Sequence, residues 1–476
     1  MKQGYNPYMP SWEYVPDGEP HVFGDRVYVY GSHDQFRGHA FCANDYICYS
    51  APVTDLRDWR YEGVIYARRD DPRNSDGEMC LYAPDVCQGP DGRYYLYYVL
   101  DALSIVSVAV CDTPAGRYQF LGYVHYEDGT LLGDKPGDER QFDPGVLVEG
   151  EKVYLYTGGC RPYAVELHGP MVTVLQPDML TIAESPRIIA PSKPHSEGTS
   201  YEGHAFFEAS SIRKVGSTYY FIYSSVLMHE LCYATSSSPV EGFVYRGVII
   251  SNVDKYIGTY KNPGREMAFP NNNHGGIECI NGQWYIFYHR HTNGDSYSRQ
   301  GCLEPIEILP DGTIPQVEMT SCGPNGAPLR GEGYYPGYLA CNIYCQYEGR
   351  ESVDMIVPSK HLDGRFPYIT QDEPDGVECI GYVSNLDEGA GIGFKYFDCC
   401  GTVLASIETR GWCSGEFVVK TGYDAEPIGT IPVNKSNEWK VYTADIAIPD
   451  GVQALYFEFR GTGAVSFKGF TLAKQI

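Results

Sequence analysis

Short runs mixing aromatic and β-branched residues, each bounded by Gly, Asp or Pro, recur along the whole chain. Runs of that length and composition suit single strands joined by tight turns. One run returns five times: DRVYVYGS from Asp25, GRYYLYYV from Gly92, EKVYLYTG from Glu151, STYYFIYS from Ser217 and GQWYIFYH from Gly282. Aligning them puts Tyr28, Tyr95, Tyr154, Tyr220 and Tyr285 in register, at steps of 67, 59, 66 and 65 residues. Such a period leaves room for four strands per unit, the size of a propeller blade. A second pattern, aromatic–x–x–x–Gly, follows 23 to 31 residues behind three of these tyrosines as WRYEG, YQFLG and FVYRG, where an outer strand would run.

The repeat fades after Thr320. Residues 321–336 are rich in Gly and Pro and read as an ordered linker. Beyond them the strands change character: ECIGYVSNL, GIGFKYFDC, EWKVYTADI, ALYFEFRG and VSFKGFTLA alternate as an antiparallel sandwich does. The sequence therefore predicts an all-β chain. A five-bladed β-propeller occupies 1–320, a linker 321–336, and a β-sandwich of jelly-roll type 337–476.

Composition agrees. The 476 residues include 53 Gly, 32 Pro and 42 Tyr, a mixture long helices do not tolerate. The 61 acidic and 36 basic residues leave a formal charge of −25, which disfavours nucleic acid and anionic membranes as partners. No apolar run approaches a membrane span, and the opening MKQGYNPYMPSWEYVPDGEP lacks the apolar stretch of a signal peptide, so a cytoplasmic location is expected. The 16 cysteines form no CxxC pair and read as small buried apolar side chains.

Counting backward from each aligned tyrosine finds the chemistry. Asp17 lies 11 residues before Tyr28, Asp85 10 before Tyr95, Asp143 11 before Tyr154, Glu208 12 before Tyr220 and His274 11 before Tyr285. Equivalent positions on successive blades are related by rotation about the central axis, so five titratable groups are expected at one end of the channel. Like charges held together in a partly desolvated funnel are costly as mere structure, which favours a functional site. Glycosidic cleavage needs a protonated acid beside the leaving oxygen and an ionised carboxylate opposite, and a third carboxylate can keep the acid protonated. A metal site is the competing use of such oxygens. Trp12, Tyr82, Phe206 and Phe207 lie near these positions in the sequence and would suit sugar faces.

At these residues the sequence resembles glycoside hydrolase family 43 over roughly 5–320. NPYMPSWEYVPDGEPHVFGDRVYVYGSHD is similar to the family's opening, YAPDV to its APD segment, FFEASSIRKVGSTYYFIYSS to the stretch holding its acid, and NNNHGGIECINGQWYIFYHRHT to that holding its axial histidine. The resemblance implies an inverting, exo-acting hydrolase of arabinosides and xylosides with Asp17 as general base, Asp85 as the carboxylate tuning the acid, and Glu208 as general acid. Asp143, Phe206 and Trp12 are expected to line the sugar, and Arg290 to bind its hydroxyls. His274 is expected beside a bound calcium ion, with no organic cofactor. Because this chain reads DGEP where many relatives have DP, Glu19 rivals Asp17 for the base. The expected substrates are arabinose-containing oligosaccharides derived from arabinoxylan or arabinan, with β-xylosidase as the alternative. The alternative of another class is a non-catalytic sugar-binding propeller.

Overall fold

The computed structural model describes residues 2–345, apart from 102, 160 and 162, and residues 366–474. Five antiparallel sheets follow one another along the chain. The first comprises Glu19–Phe23, Arg26–Tyr30, Tyr46–Pro52 and Arg60–Tyr66, and the second Asp85–Gln88, Tyr94–Val99, Val106–Cys111 and Gln119–Tyr123. The third comprises Gly145–Glu149, Lys152–Thr157, Met171–Leu175 and Ile182–Ile188, and the fourth Phe206–Val215, Thr218–Ser225, Glu230–Ser236 and Val244–Ser251. The fifth has three strands, Ile277–Ile280, Gln283–His291 and Arg299–Ile306. Each repeated tyrosine falls on the second strand of its sheet.

The first strands of the sheets neighbour one another, fourth against third, third against second, second against first, and first against fifth. The fourth and fifth sheets share a core through Ile222, Leu231, Ile277 and Ile286, which closes a ring of five blades about an axis and removes the exposed sheet edges a linear array would leave. Apolar side chains between blades supply the cores: Tyr97, Val108, Val146 and Leu155 between the second and third, Tyr156, Val172, Phe221 and Cys232 between the third and fourth.

The C-terminal region forms one curled nine-stranded sheet, a β-sandwich folded over a Phe-rich core that includes Phe394, Phe417, Phe457, Phe467 and Phe470. Its longest members, Thr402–Lys420, Pro427–Ile448 and Gly451–Lys474, run 19, 22 and 24 residues. Residues 321–336, expected to be only a connection, contribute pairing of their own. Leu329–Arg330 pairs in parallel with Gly391–Cys399, and Gly333–Pro336 pairs antiparallel with Gly451–Lys474. The reason lies in their apolar members, since Leu329 and Tyr335 are buried in that core.

The two parts share buried polar contacts. Lys395, fully buried, donates to Asp254 at 2.7 Å, to Tyr260 Oη at 2.9 Å and to Glu318 at 2.9 Å, which ties the C-terminal sheet to the propeller. Among the described residues, no helix is long and apolar enough to cross a membrane.

Candidate active site

Asp17, Asp143 and Glu208 come together at one end of the propeller, lining a cavity of about 290 Å³ with His274, Asn272 and Arg299. Its walls carry Phe41, Tyr82, Phe142 and Tyr297. Local backbone aims these carboxylates. Asp17 and Asp143 each stand two residues before the innermost strand of a blade, in the left-handed region with φ of 57° and 41°. Ala209, beside Glu208, has φ of 69°, and the ladder between Phe206–Val215 and Thr218–Ser225 shifts register on both sides of Glu208. A bulge of this kind re-aims a side chain, and left-handed non-glycine residues cluster where function imposes them.

Arg299 organises the floor. Its Nη1 donates to Asp17 Oδ1 at 2.8 Å, while Nε and Nη2 grip Asp34 at 2.8 and 2.9 Å. Asp17 N–H reaches His289 Nδ1 at 3.3 Å, and His289 Nε2 lies 2.9 Å from Asn272 O, which assigns the ring proton to Nε2. Burial alone would push the Asp17 carboxyl up, but the Arg299 guanidinium outweighs it and holds the group well below the usual carboxylate range. Glu208 goes the other way. Burial first, then the negative charge of Asp17, raises it to about 8, against the opposing pull of Arg299 and Asn272. Asp143 Oδ2 accepts from Ala209 N–H at 3.1 Å, and burial and the charge of Glu208 push its carboxyl up as well. The Asp143–Glu208 pair therefore retains a proton near neutral pH while Asp17 stays ionised. His274 Nδ1 faces Asp143 at 3.6 Å and Asp17 at 3.9 Å, and burial lowers its pKa to about 4, so the ring is neutral.

The other residues expected here lie elsewhere. Asp85 is not in the cavity. It opens a strand, and its carboxylate meets His21 Nε2 at 2.6 Å, Val86 N–H at 2.7 Å and Val146 N–H at 2.7 Å, inside the packing between blades. Asp143 holds the place beside Glu208 that was expected for it. Arg290 is buried on the other face of its strand, donating to Gln300, Ala340 O and Tyr338 O. The arginines that line the cavity are Arg299 and Arg140. Phe206 packs in the core between the third and fourth blades, and Trp12 is half-buried in a turn ahead of Asp17, outside the cavity lining. Glu19, the rival base, is fully buried below the cavity, where its Oε2 accepts from Ser211 Oγ at 3.0 Å and Arg213 Nη2 at 3.2 Å.

Glu19, His21 and Asp85 each offer an atom within 4.8 Å of the others and could hold a metal ion. Two observations fit a hard cation there. Glu19 Oε1 and His274 Nε2 are buried without a hydrogen-bond partner, and His274 senses both Asp17 and Asp85, which sets it between the cavity and this cluster.

Comparison with known proteins adds to this geometry. The profile of glycosyl hydrolases family 43 matches residues 15–314. A xylosidase/arabinosidase of Thermoclostridium stercorarium is 61% identical over 471 residues, 99% of each chain. A family 43 β-xylosidase/α-arabinofuranosidase from a compost metagenome, crystallised with xylotriose in a calcium-free form, superposes with a TM-score of 0.52 at 26% identity, over 67% of this chain and 98% of its own. An arabinoxylan arabinofuranohydrolase of Bacillus subtilis, solved with cellotetraose, shares the fold over 99% of this chain and 97% of its own, at a TM-score of 0.52 and 20% identity.

Proposed function

The chain belongs to glycosyl hydrolases family 43 and is a glycoside hydrolase, and from that premise we propose that it releases terminal α-L-arabinofuranosyl and β-D-xylosyl residues from xylan- and arabinan-derived oligosaccharides, with inversion. The observation that carries this reading is the convergence of Asp17, Asp143 and Glu208 on one cavity, with Asp17 ionised and Glu208 protonated near neutral pH. One ionised and one protonated carboxyl are what acid–base hydrolysis of a glycoside requires.

In this mechanism Asp17, oriented by Arg299, takes a proton from water attacking the anomeric carbon. Glu208 gives its proton to the departing oxygen. Asp143, held by the Ala209 N–H, shares the retained proton of the pair, and burial with the negative charge of Asp17 keeps Glu208 protonated. The aromatic wall of Phe41, Tyr82, Phe142 and Tyr297 covers the sugar and excludes bulk water, which strengthens each charge inside. The pairing of arabinoside and xyloside activities is supported by the name of the relative that is 61% identical over nearly the whole chain.

Calcium, if bound, would be held by Glu19, His21 and Asp85, with His274 Nε2 beside them. It would supply positive charge beneath the cavity floor. Every proton transfer above is carried by the chain's own side chains.

The test is the Glu208→Gln protein on two substrates, with product stereochemistry read by proton NMR. Loss of the acid is expected to cost about 100- to 10,000-fold on xylobiose and far less on a dinitrophenyl glycoside, whose leaving group needs no proton. Equal losses on both remove Glu208 from the acid role, and a first-formed anomer of retained configuration removes Asp17 from the base role.

A further inference from the structure

Two loops carry one wall of the catalytic cavity. Phe41 and Cys42 lie between the second and third strands of the first blade, and Tyr297 and Arg299 stand at the start of the last strand of the fifth. The wall is continuous, since the Phe41 ring meets Tyr297 edge-on at 4.8 Å and the Arg299 guanidinium lies over Phe41 at 4.9 Å. Neither loop is held by the propeller alone. Residues 366–381, which include the Tyr368–Thr370 strand of the C-terminal sheet, reach both of them. Asp375 takes the Phe36 N–H at 2.8 Å and the Asn44 amide at 3.2 Å, bracketing Phe41 from either side. Gln371 Oε1 accepts from Tyr14 Oη at 2.7 Å, and Tyr14 stacks on Phe36 at 5.3 Å, three residues before Asp17. Ile369 O accepts from Asn293 N–H at 2.6 Å, and Thr370 Oγ1 bonds the Asn293 side chain at 3.1 Å, anchoring the loop that carries Tyr297.

We propose that residues 366–381 complete the catalytic cavity and that Asp375 is a positioning residue, fixing the Phe41–Tyr297 wall against which the sugar packs. The C-terminal region then acts in catalysis through the shape of the cavity instead of as a separate sugar-binding module. The physical reason is leverage: a surface loop is mobile unless its backbone donors are bound, and a misplacement near 1 Å at a substrate wall can cost about 100-fold. One carboxylate receiving a main-chain N–H on one side of Phe41 and a side-chain amide on the other limits both ends of the loop. This inference rests on the glycoside hydrolase reading of the site.

The experiment compares the parent with Asp375→Ala and Asp375→Asn on nitrophenyl arabinofuranoside, nitrophenyl xyloside and soluble arabinoxylan, with melting temperature as a control for folding. Asp375→Ala is expected to raise KM at least fivefold on both small glycosides while kcat falls less. Asp375→Asn keeps an oxygen for the Phe36 N–H and is expected to recover KM to within about twofold of the parent. A fall in kcat at unchanged KM is the signature of partly unfolded protein and overturns the proposal, as does an Asn variant no better than Ala. Normal kinetics on the small glycosides with activity lost only on the polymer also overturn it, in favour of a separate binding module. A parent inactive on every glycoside defeats the reading of the whole site, whereas an active parent with an unaltered Ala variant defeats the role of Asp375 alone.

Discussion

Replacing Arg299 by Lys tests the electrostatics on which the mechanism depends. Arg299 is fully buried and its side chain makes three bonds to carboxylates, one to Asp17 and two to Asp34. A lysine keeps the charge but has one point of attachment, so it cannot span both carboxylates. Asp34 offers two oxygens to the incoming ammonium, and Asp17 is expected to be the partner that loses. A hydrogen bond to a charged group contributes about 1.5–3 kcal/mol, so if the whole loss falls on the transition state, kcat/KM drops about 10- to 150-fold. The pH profile separates this from simple damage. In the parent, the lowered pKa of Asp17 contributes stability that is fully present above the unfolded value of about 3.9 and lost only as pH falls below it, and it keeps the carboxylate ionised over the working range. With the guanidinium gone, burial dominates and the carboxyl rises, so the acid limb of kcat/KM against pH moves upward. Initial rates on a nitrophenyl glycoside from pH 3 to 9, with circular dichroism to confirm folding, give both readings. A lysine variant within threefold of the parent, or one whose acid limb stays in place, refutes the claim that Arg299 keeps Asp17 ionised. Arg299→Met is the harsher change: two buried carboxylates left uncompensated cost about 3–5 kcal/mol, enough to be read first as a lower melting temperature.

Four further outcomes are expected. Asp143→Asn removes one of the two carboxyls that share the retained proton, so the alkaline limb of the rate profile moves to lower pH; Asp85→Asn weakens a carboxylate with three hydrogen-bond partners between blades, so it lowers the melting temperature and leaves that limb in place. Chelation followed by calcium titration is expected to lower and then restore the melting temperature by several degrees, and Glu19→Gln to abolish the response, because Glu19 brings an unpartnered buried oxygen to the cluster.

The fold was legible because five copies of one strand share a register, and each copy became the second strand of a blade. The site was legible to within one residue of spacing, and that residue mattered. Asp17, Asp143 and His274, all 11 before their tyrosines, reach the cavity. Asp85, at 10, has moved into the strand, and a one-residue shift turns a side chain to the opposite side. Glu208, at 12, reaches the cavity because the register shifts around it absorb the extra residue, a compensation no spacing rule contains. The arginine could have been found from alternation. His289 and His291 share the strand face that bonds Asn272, and Arg290 between them must point away. Arg299 pairs directly across from His291 and so belongs on the cavity side. Phe41, Asp34 and Asp375 were not legible, since loop residues outside the repeat acquire their places only from contacts distant in the chain.

Lys395 bears on how the chain could be divided. Its ammonium, contributed by the C-terminal sheet, is the counter-charge for Asp254 and Glu318 of the propeller side. A truncation near residue 337 would strand Asp254, itself fully buried, without a cation and strip Glu318 of its main neutralising neighbour. The blades are thus not a self-sufficient cassette that can be excised and grafted: the piece that looks ancillary supplies the ion without which the other half is electrically unfinished.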